Sequence, residues 1–315
     1  MIKESTGFLP EKSISLGTRQ LFYRLFKPES KVVKGTLLIL HGMQEHSGRY
    51  VDFAKYVSEK GYVVLCYDHL GHGKSVTDES ELGFFQLGNP AQQLVEDAEY
   101  MLRHLQRMYP RSPSFVLGHS MGSFVLRLLL QQTDDMIDGA IVVGTGGANT
   151  AASLALPLLR LLNKWKPRKR SKFVNSMFEN MNNRKFKNEP GATSTSWLSL
   201  STANRAAFDA DPLNGVPFSN NGFYALLTLN TNATKKNRMK MIHKTQPLLF
   251  ISGQNDPIGN FGKGVIGTAD NLRKNGFIDV KIKLYKNMRH EILNEDIKHK
   301  VYDDIIKWIT EHRKL

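Results

Sequence analysis

The sequence predicts an α/β protein with a mostly parallel central sheet that is covered by helices on both faces. The first observation is that short apolar runs, such as 62–67 and 139–143, alternate with longer segments of helical periodicity. The second is that this alternation stops near residue 146 and resumes at residue 247. The third is chain length, because 315 residues can bury the core of one large α/β domain.

Turn and helix-stop signals separate the elements in the first half of the chain. The helical pattern from Tyr50 stops at Gly61. The pattern from Ala91 ends before Pro110, because proline disfavours helical backbone in the residue that precedes it. Predicted strands are 13–16 and 21–26 as a hairpin, then 36–40, 62–67, 114–117 and 139–143, and predicted helices are 50–60, 91–108 and 121–132.

The second half of the chain contains an insertion and then the rest of the sheet. Residues 147–238 lack a clean alternation and are richer in Asn, Ser, Thr, Lys and Arg, which predicts an inserted lid. The predicted core therefore has two segments, 1–146 and 239–315. Strands are expected at 247–251 and 280–285, and helices at 268–275 and 297–312.

Charge and composition limit the classes of partner. The net charge of +14 comes from 43 Lys and Arg against 29 Asp and Glu, which favours contact with anionic surfaces or acidic substrates. A basic surface without a specific partner is equally compatible with this charge. The hydrophobic fraction of 41% excludes a disordered chain, and the absence of a nucleic-acid motif leaves no specific reason to expect nucleic acid.

The single cysteine and the lack of long apolar segments bear on location. Cys66 alone cannot form an intrachain disulfide, and its apolar neighbours predict a buried strand residue. The N-terminus has no apolar signal-peptide region, and no apolar stretch is long enough to span a bilayer. The expected location is the cytoplasm, where the basic surface could also touch the inner membrane face.

The strongest chemical signal is the G-H-S-M-G segment at 118–122, which fits the G-x-S-x-G nucleophile elbow. It follows the predicted strand 114–117 and opens the helix that starts at Met121. A tight strand-to-helix turn strains the serine backbone and lifts its hydroxyl clear of the sheet, and flanking glycines avoid clashes. The segment predicts Ser120 as a nucleophile and the α/β-hydrolase fold as the architecture, with the lid inserted into it.

A serine hydroxyl needs a histidine base and an acid that orients it, and in this fold the chain order is Ser, Asp or Glu, then His. Asp256 follows the strand that ends at Ile251, and His290 follows the strand that ends at Tyr285. Both side chains therefore lie on loops at the carboxyl edge of a parallel sheet, where the elbow also opens. The sequence predicts the catalytic triad Ser120, Asp256 and His290.

Other titratable residues fit the triad less well. Asp270 lies in a helical pattern and Asp279 at a strand start, so both are expected to be solvated. His119 lies inside the elbow and is expected to pack beside the site rather than act as the base. His299 and His312 are expected on the surface of the last helix, and four histidines precede the nucleophile: His41, His46, His69 and His72. Without an H-E-x-x-H motif or a cysteine pair, no metal site is predicted.

Acyl transfer also requires donors for the oxyanion. One is the backbone N–H of Met121, the residue after the nucleophile. The second is expected from the loop after the strand 36–40, where the N–H of Met43 is the candidate. No cofactor is implied.

Five sequence blocks resemble, in the same order, the blocks of monoacylglycerol lipases and their lysophospholipase-like bacterial relatives. This family is of the serine aminopeptidase S33-like type. The blocks are 41–50, 68–75, 118–122, 252–257 and 289–291.

The first block contains one departure from the family and two pocket candidates. Gln44 stands where the family usually has Gly, so the oxyanion loop of this chain is expected to differ. The resemblance implies that Glu45 and Arg49 lie near the alcohol side of the substrate. A buried ion pair that anchors the loop is the alternative for these two residues.

These observations predict a serine carboxylic-ester hydrolase that acts through an acyl-enzyme on lipid-like esters such as monoacylglycerols or lysophospholipids. An aminopeptidase, amidase or acyltransferase on the same core is the enzymatic alternative, because the lid and pocket decide the leaving group. A catalytically silent binding protein of the fold is the non-enzymatic alternative.

The lid sequence suggests a further contact. The apolar run 154–162 and Trp165 adjoin a basic cluster in which Glu179 is the only acidic residue. An apolar segment beside cations is typical of an element at an anionic membrane surface. The alternative is that the leucines pack over the pocket and the cations keep the lid soluble. The basic cluster comprises Arg160, Lys164, Lys166, Arg168, Lys169, Arg170, Lys172, Arg184, Lys185 and Lys187.

Overall fold

The computed structural model describes residues 2–10, 20–30, 32–133, 136–235 and 241–313. Strands in these residues form a single sheet. They are β1 (Ile2–Pro10), β2 (Gln20–Pro28), β3 (Gly35–Leu40), β4 (Tyr62–Tyr67), β5 (Ser114–His119), β6 (Gly139–Val143), β7 (Leu248–Gly253) and β8 (Val280–Tyr285).

The order of strands in the sheet is β1-β2-β4-β3-β5-β6-β7-β8. Strands β3 to β8 pair in parallel, whereas β1 and β2 run antiparallel at one end. The predicted mostly parallel sheet is therefore confirmed. The strand that pairs with β2 in a hairpin is Ile2–Pro10, and the strand predicted at 13–16 lies outside the described residues.

Helices cover both faces of the sheet. Alternate residues of β3 show the two faces, since Leu38 and Leu40 lie in one apolar core and Leu37 and Ile39 in the other. The described helices are α1 (Val51–Glu59), α2 (Pro90–Met108), α3 (Met121–Leu129), α4 (Thr150–Trp165), α5 (Lys172–Asn183), α6 (Thr202–Ala210), α7 (Asn220–Ala233), α8 (Lys263–Lys274) and α9 (Lys298–His312).

Helices α1 and α9 pack on one face, and α2, α3 and α8 pack on the other. Helix α2 shows why these boundaries form, because the Asn89 side chain caps its first turn and Pro90 occupies its first position. Helix α8 begins five residues before the predicted start at Thr268. The glycines at 264 and 267 weaken the helical signal there, since glycine has a low helix propensity.

The segment between β6 and β7 includes the insertion predicted at 147–238, and its described residues contain α4 to α7. The last of these helices, α7, packs against the helices that cover the sheet. Phe223, Leu226 and Leu229 of α7 belong to the same apolar core as Val125 and Leu129 of α3. The insertion is therefore anchored on the core through α7. In the part of the chain that the structure describes, no helix is both long and apolar enough to cross a membrane.

Candidate active site

Ser120 lies in a strained turn between β5 and α3, with φ of 52° and ψ of −115°. A left-handed φ is unfavourable for a serine, so the surrounding packing must hold this conformation. Helix α3 closely approaches the end of β3, because a Cβ at position 122 would lie 2.2 Å from the carbonyl oxygen of Leu40. The glycine at 122 is thus required, and this is the geometry expected of a nucleophile elbow.

Asp256 and His290 meet at the carboxyl edge of the sheet. The Nδ1–H of His290 donates to Oδ2 of Asp256 at 2.9 Å. Asp256 is fully buried, and it also accepts hydrogen bonds from the Ser252 hydroxyl at 3.1 Å and the Ile258 N–H at 2.8 Å. These bonds fix the carboxylate and leave Nε2 of His290 as the basic nitrogen.

His119 brings the loop that carries His290 next to the elbow. Its ring contacts the ring of His290 with centroids 4.7 Å apart, and His119 directly precedes Ser120 in the chain. The rival residues lie elsewhere. Asp270 pairs with Arg273 on α8, and Asp279 pairs with His312.

The loop after β3, which carries the predicted oxyanion donor Met43, lies against Ser120. A Cβ at position 42 would be 3.0 Å from Cβ of Ser120. Met121 is the first residue of α3, so its N–H has no acceptor within the helix. Met43 is half-buried in the facing turn. Both backbone N–H groups thus belong to segments that adjoin the serine.

Gln44 connects the same loop to the insertion. Its φ of 57° is left-handed, which a glycine would adopt more readily. The side-chain Nε2–H of Gln44 donates to the carbonyl of Val216 at 3.0 Å. The backbone carbonyl of Gln44 accepts a hydrogen bond from Gly215 N–H at 2.9 Å. These two bonds offset the backbone strain and join the oxyanion loop to the segment between α6 and α7.

Glu45 is buried and anchors the loop through three donors. Its Oε1 accepts from Gly42 N–H at 2.5 Å, Tyr50 hydroxyl at 2.8 Å and His119 Nδ1–H at 3.0 Å. The other ring nitrogen of His119 lies 3.3 Å from the carbonyl oxygen of His290. Because both nitrogens of His119 face acceptors, the ring is best satisfied as a cation.

Electrostatics agree with this assignment of charge. Burial alone would lower the pKa of His119, but the hydrogen bond and charge of Glu45 raise it above the usual value. Burial likewise opposes ionisation of Glu45, and the bond to His119 overrides it and holds the carboxyl pKa well below its usual range. The two groups therefore form a buried ion pair.

Arg49 forms a separate pair with Glu291, the residue after His290. Its Nη2 donates to Glu291 and to Oδ1 of Asn204, the latter at 2.9 Å. Its guanidinium also lies over the ring of Phe208, 5.1 Å from the centroid. Arg49 thus links the first core segment to α6 and to the loop that carries His290. Contact of Glu45 or Arg49 with the substrate stays a prediction.

Three buried histidines, His41, His69 and His72, pack together beside the loop that carries Met43. We call them the histidine cluster. The rings of His41 and His69 are 4.4 Å apart between centroids, and those of His41 and His72 are 5.1 Å apart. His41 donates from Nδ1 to the Gly42 carbonyl and accepts the His69 N–H at Nε2. Burial lowers the pKa of His69 and of His72 to about 3, so both rings are neutral.

A cavity of about 250 Å³ adjoins the site. Gln44 forms one wall, and insertion residues form the rest. The ring of Trp197 packs against the ring of His290 at a tilt of 33°, with centroids 5.0 Å apart, so the cavity lies on the His290 side of the site. Its lining comprises Gln44, Phe178, Glu179, Ser194, Thr195, Trp197, Leu198, Phe208, Asp209, Asn214 and Gly215.

The sequence predicted the serine, the acid and the histidine but gave no role to several side chains that contact them or their loops. Tyr50 and Glu291 lie within the recognised blocks, so their position was a usable signal. Trp197 lies in the insertion, where no motif indicated that it would contact His290.

The sheet order, the strained serine elbow and the adjacent Asp–His pair define an α/β-hydrolase. Comparison with known proteins gives the family. The sequence profile of the family described as serine aminopeptidase, S33 matches residues 31–297. The chain belongs to this family and is a serine hydrolase, which confirms the resemblance seen in the five blocks.

Curated relatives cover nearly the whole chain. Mouse monoglyceride lipase is 25% identical over 297 residues, which span 93% of this chain and 87% of the mouse protein. The monoacylglycerol lipase of Mycolicibacterium smegmatis is 24% identical over 305 residues, or 94% of this chain and 95% of that protein.

Solved structures agree on the fold. A thermostable carboxyl esterase from Bacillus coagulans in complex with glycerol superimposes with a TM-score of 0.88 at 28% identity, covering 98% of this chain and 99% of the esterase. The monoglyceride lipase of Saccharomyces cerevisiae superimposes with a TM-score of 0.74 at 20% identity, covering 97% and 96%. The second likeness supports the fold alone.

Proposed function

We propose that this protein hydrolyses carboxylic esters of lipid-like substrates, with Ser120 as nucleophile, His290 as general base and acid, and Asp256 as the group that orients His290. The observation that carries the proposal is the hydrogen bond from His290 Nδ1 to the buried Asp256, beside a serine in a strained elbow. This bond fixes the tautomer in which Nε2 can take the serine proton.

The mechanism follows from these positions. As Oγ of Ser120 attacks the ester carbonyl, its proton moves to Nε2 of His290, and Asp256 stabilises the resulting imidazolium. The N–H groups of Met43 and Met121 stabilise the oxyanion. His290 then gives the proton to the leaving alcohol, and an acyl group remains on Ser120. Water attacks this acyl-enzyme with His290 again as base, which releases the acid and restores the serine.

Two features support lipid-like esters as the substrates. Relatives that cover almost the whole chain carry the names monoglyceride lipase and monoacylglycerol lipase. An apolar cluster of Phe186, Trp197, Leu198 and Phe208 also lies next to His290, where an aliphatic part of a substrate would be desolvated. We therefore expect monoacylglycerols or lysophospholipids. Amide bonds are the second candidate class because the family description names an aminopeptidase.

Activity-based labelling followed by matched substrates tests the proposal. A fluorophosphonate probe is expected to label the wild-type protein and not the Ser120→Ala variant. Esters of increasing acyl length should be hydrolysed, and the corresponding amides should be cleaved far more slowly. Labelling that persists in Ser120→Ala would contradict the nucleophile assignment, and faster cleavage of the amides would favour the aminopeptidase alternative.

We further propose that the insertion acts as a lid that contacts an anionic membrane. Leu154, Leu158, Leu161 and Trp165 are 61–77% exposed, and their spacing places them on one face of α4. Helix α5 exposes a second apolar stripe, which consists of Phe173, Met177 and Met181. Exposure of both stripes favours interfacial contact over the alternative in which the leucines pack over the pocket.

Liposome co-sedimentation tests this contact. Binding is expected to require anionic lipid, to weaken with added salt, and to fall when Arg168, Lys169 and Arg170 are replaced by Ser. A second variant, Leu154→Ser with Leu158→Ser, should reduce binding to the same vesicles through the apolar stripe. Binding that ignores salt and the basic residues would contradict the electrostatic contribution, and binding that ignores the leucines would contradict the apolar one.

A further inference from the structure

The loop that carries His290 is held to the insertion by buried charged side chains on either side of the histidine. Arg289, Glu291 and Glu295 are each 1–3% exposed. Each of them forms hydrogen bonds with residues 189–204 of the insertion. A buried charge is costly unless it is paired, so these bonds fix the position of the loop relative to the insertion.

Glu295 connects the backbone beside His290 directly to the backbone of the insertion. Its Oε1 accepts from Leu200 N–H at 2.9 Å and from Arg289 N–H at 3.4 Å. Its Oε2 accepts from Ser201 N–H at 3.2 Å. Ser201 is the N-cap of α6, where the helix dipole favours a negative charge. A carboxylate therefore suits this position better than a neutral side chain, and it joins the two segments at one point.

The same segment of the insertion also contacts His290 itself. The ring of Trp197 packs against the His290 ring, with centroids 5.0 Å apart. The carbonyl of Leu198 accepts a hydrogen bond from Glu291 N–H at 2.8 Å. Asp256 binds Nδ1 of His290, so this carboxylate fixes one end of the ring. The contacts with the insertion restrain the loop and one face of the ring, and they thereby restrain the direction of Nε2.

The direction of Nε2 matters for the proposed chemistry. A general base must lie within hydrogen-bond reach of the proton that it takes, and a displacement of about 1 Å can cost about 100-fold in rate. We infer that Glu295 is a positioning residue for His290 and that residues 196–201 of the insertion are its support. This part of the insertion belongs to the active site, whereas α4 and α5 expose apolar stripes to solvent. The inference rests on the proposed function, in which His290 is the base.

Kinetics with a short, water-soluble p-nitrophenyl ester test the position of the base without a lipid surface. Glu295→Ala should lower kcat by about 100-fold and leave KM within about twofold, because it displaces the base and removes no substrate contact. Glu295→Gln keeps one acceptor and should lower kcat less.

Ile309→Ala is the matched control for a loss of stability alone. Ile309 is buried on α9, and a Cβ at position 139, the first residue of β6, would lie 2.7 Å from the ring of the adjacent Trp308. This end of α9 therefore packs at the opposite edge of the sheet from the site. Ile309→Ala should lower the melting temperature and leave kcat unchanged.

Two substitutions at Ser201 test the same bond from the insertion side. The φ of Ser201 is −64°, which proline can adopt, so Ser201→Pro removes the N–H that Glu295 accepts. Ser201→Ala keeps that N–H and removes only the hydroxyl that caps Asn204 N–H. Ser201→Pro should lower kcat more than Ser201→Ala, and its loss should not add to that of Glu295→Gln. These variants carry the test if Glu295→Ala does not fold.

Proton NMR separates positioning from general stabilisation. The Nδ1–H of His290 gives a downfield resonance because it donates to Asp256, and the loss of this resonance in His290→Ala assigns it. The resonance should shift or broaden in Glu295→Gln and in Ser201→Pro. It should stay in place in Ile309→Ala.

The outcomes are distinguishable. Wild-type kcat and an unshifted resonance in Glu295→Gln and Ser201→Pro would overturn the inference and leave the esterase function intact. A fall in kcat that Ile309→Ala reproduces at the same loss of melting temperature would also overturn it, since Glu295 would then only stabilise the fold. A wild-type protein that does not cleave the ester, or a folded Ser120→Ala variant that still does, would overturn the proposed function and the inference together.

Discussion

Glu45→Ala is expected to destabilise the protein by about 3–5 kcal/mol, which is the usual cost of removing one partner from a buried ion pair. Glu45 is 3% exposed, and its carboxylate is the acceptor for Gly42 N–H, Tyr50 hydroxyl and His119 Nδ1–H. Alanine would leave a buried imidazolium without a counter-ion and two further donors without an acceptor. In this variant His119 would release its proton and become neutral. Because the buried charge is then removed, the loss of stability stays within the range of about 3–5 kcal/mol.

The change should also lower activity, because Gly42 would lose the bond that holds the oxyanion loop beside Ser120. Glu45→Gln keeps one acceptor and should be less damaging than Glu45→Ala in both respects. The matched control is Glu311→Ala, which removes an exposed ion pair with Lys281 and should change stability by less than about 1 kcal/mol.

Urea unfolding and the kcat of the p-nitrophenyl ester provide the two measurements. If Glu45→Ala cost no more than Glu311→Ala, then the ion pair with His119 would not be the anchor of this loop. If stability fell as expected while kcat stayed at the wild-type value, the link between Glu45 and the oxyanion loop would be refuted.

Three other predictions concern the triad and the histidine cluster. Ser120→Ala should lower ester turnover by a factor of about 10⁴ or more while the melting temperature is retained, and turnover by a folded variant would refute the nucleophile. Asp256→Asn and His290→Ala should each be severely impaired in kcat and add little to Ser120→Ala, whereas a more damaging Asp270→Asn would displace Asp256 as the acid. The histidine cluster has folded pKa values below the unfolded value near 6.5. Below that pH the unfolded chain binds protons that the folded chain does not, so stability should fall as pH decreases from about 6.5 towards 3, by up to about 1.4 kcal/mol per pH unit for each histidine. Urea midpoints between neutral pH and pH 5 measure this slope, and a flat profile would contradict the neutral cluster.

Local sequence was sufficient to predict the architecture, and it also nominated three residues for the proposed triad. Each of these residues lies on the connection that follows a strand, and the central strands were recognisable as short apolar runs because they are buried on both faces. Parallel strands end at the same edge of the sheet, so chain order predicted that Ser120, Asp256 and His290 lie near one another. The structure shows the contact between Asp256 and His290, and the triad stays a proposal. Boundaries were less certain where glycines interrupt a pattern, as at the start of α8.

Only the tertiary structure decided how the surrounding side chains pair. Sequence left open whether Glu45 and Arg49 face the substrate or form an ion pair, and the structure gives each a different partner, His119 and Glu291. These partners are 74 and 242 residues away in the chain, so no local pattern records them. The same holds for the contact between the rings of Trp197 and His290.

The insertion shows this division most clearly. Its composition marked it as a separate segment, but composition could not tell which leucines of α4 are covered. Leu159 is 7% exposed and Leu154 is 77% exposed, although both are leucines of one helix. Their difference arises because α4 presents one face to the rest of the molecule and the other to solvent, and the direction of that face depends on packing between distant segments of the chain.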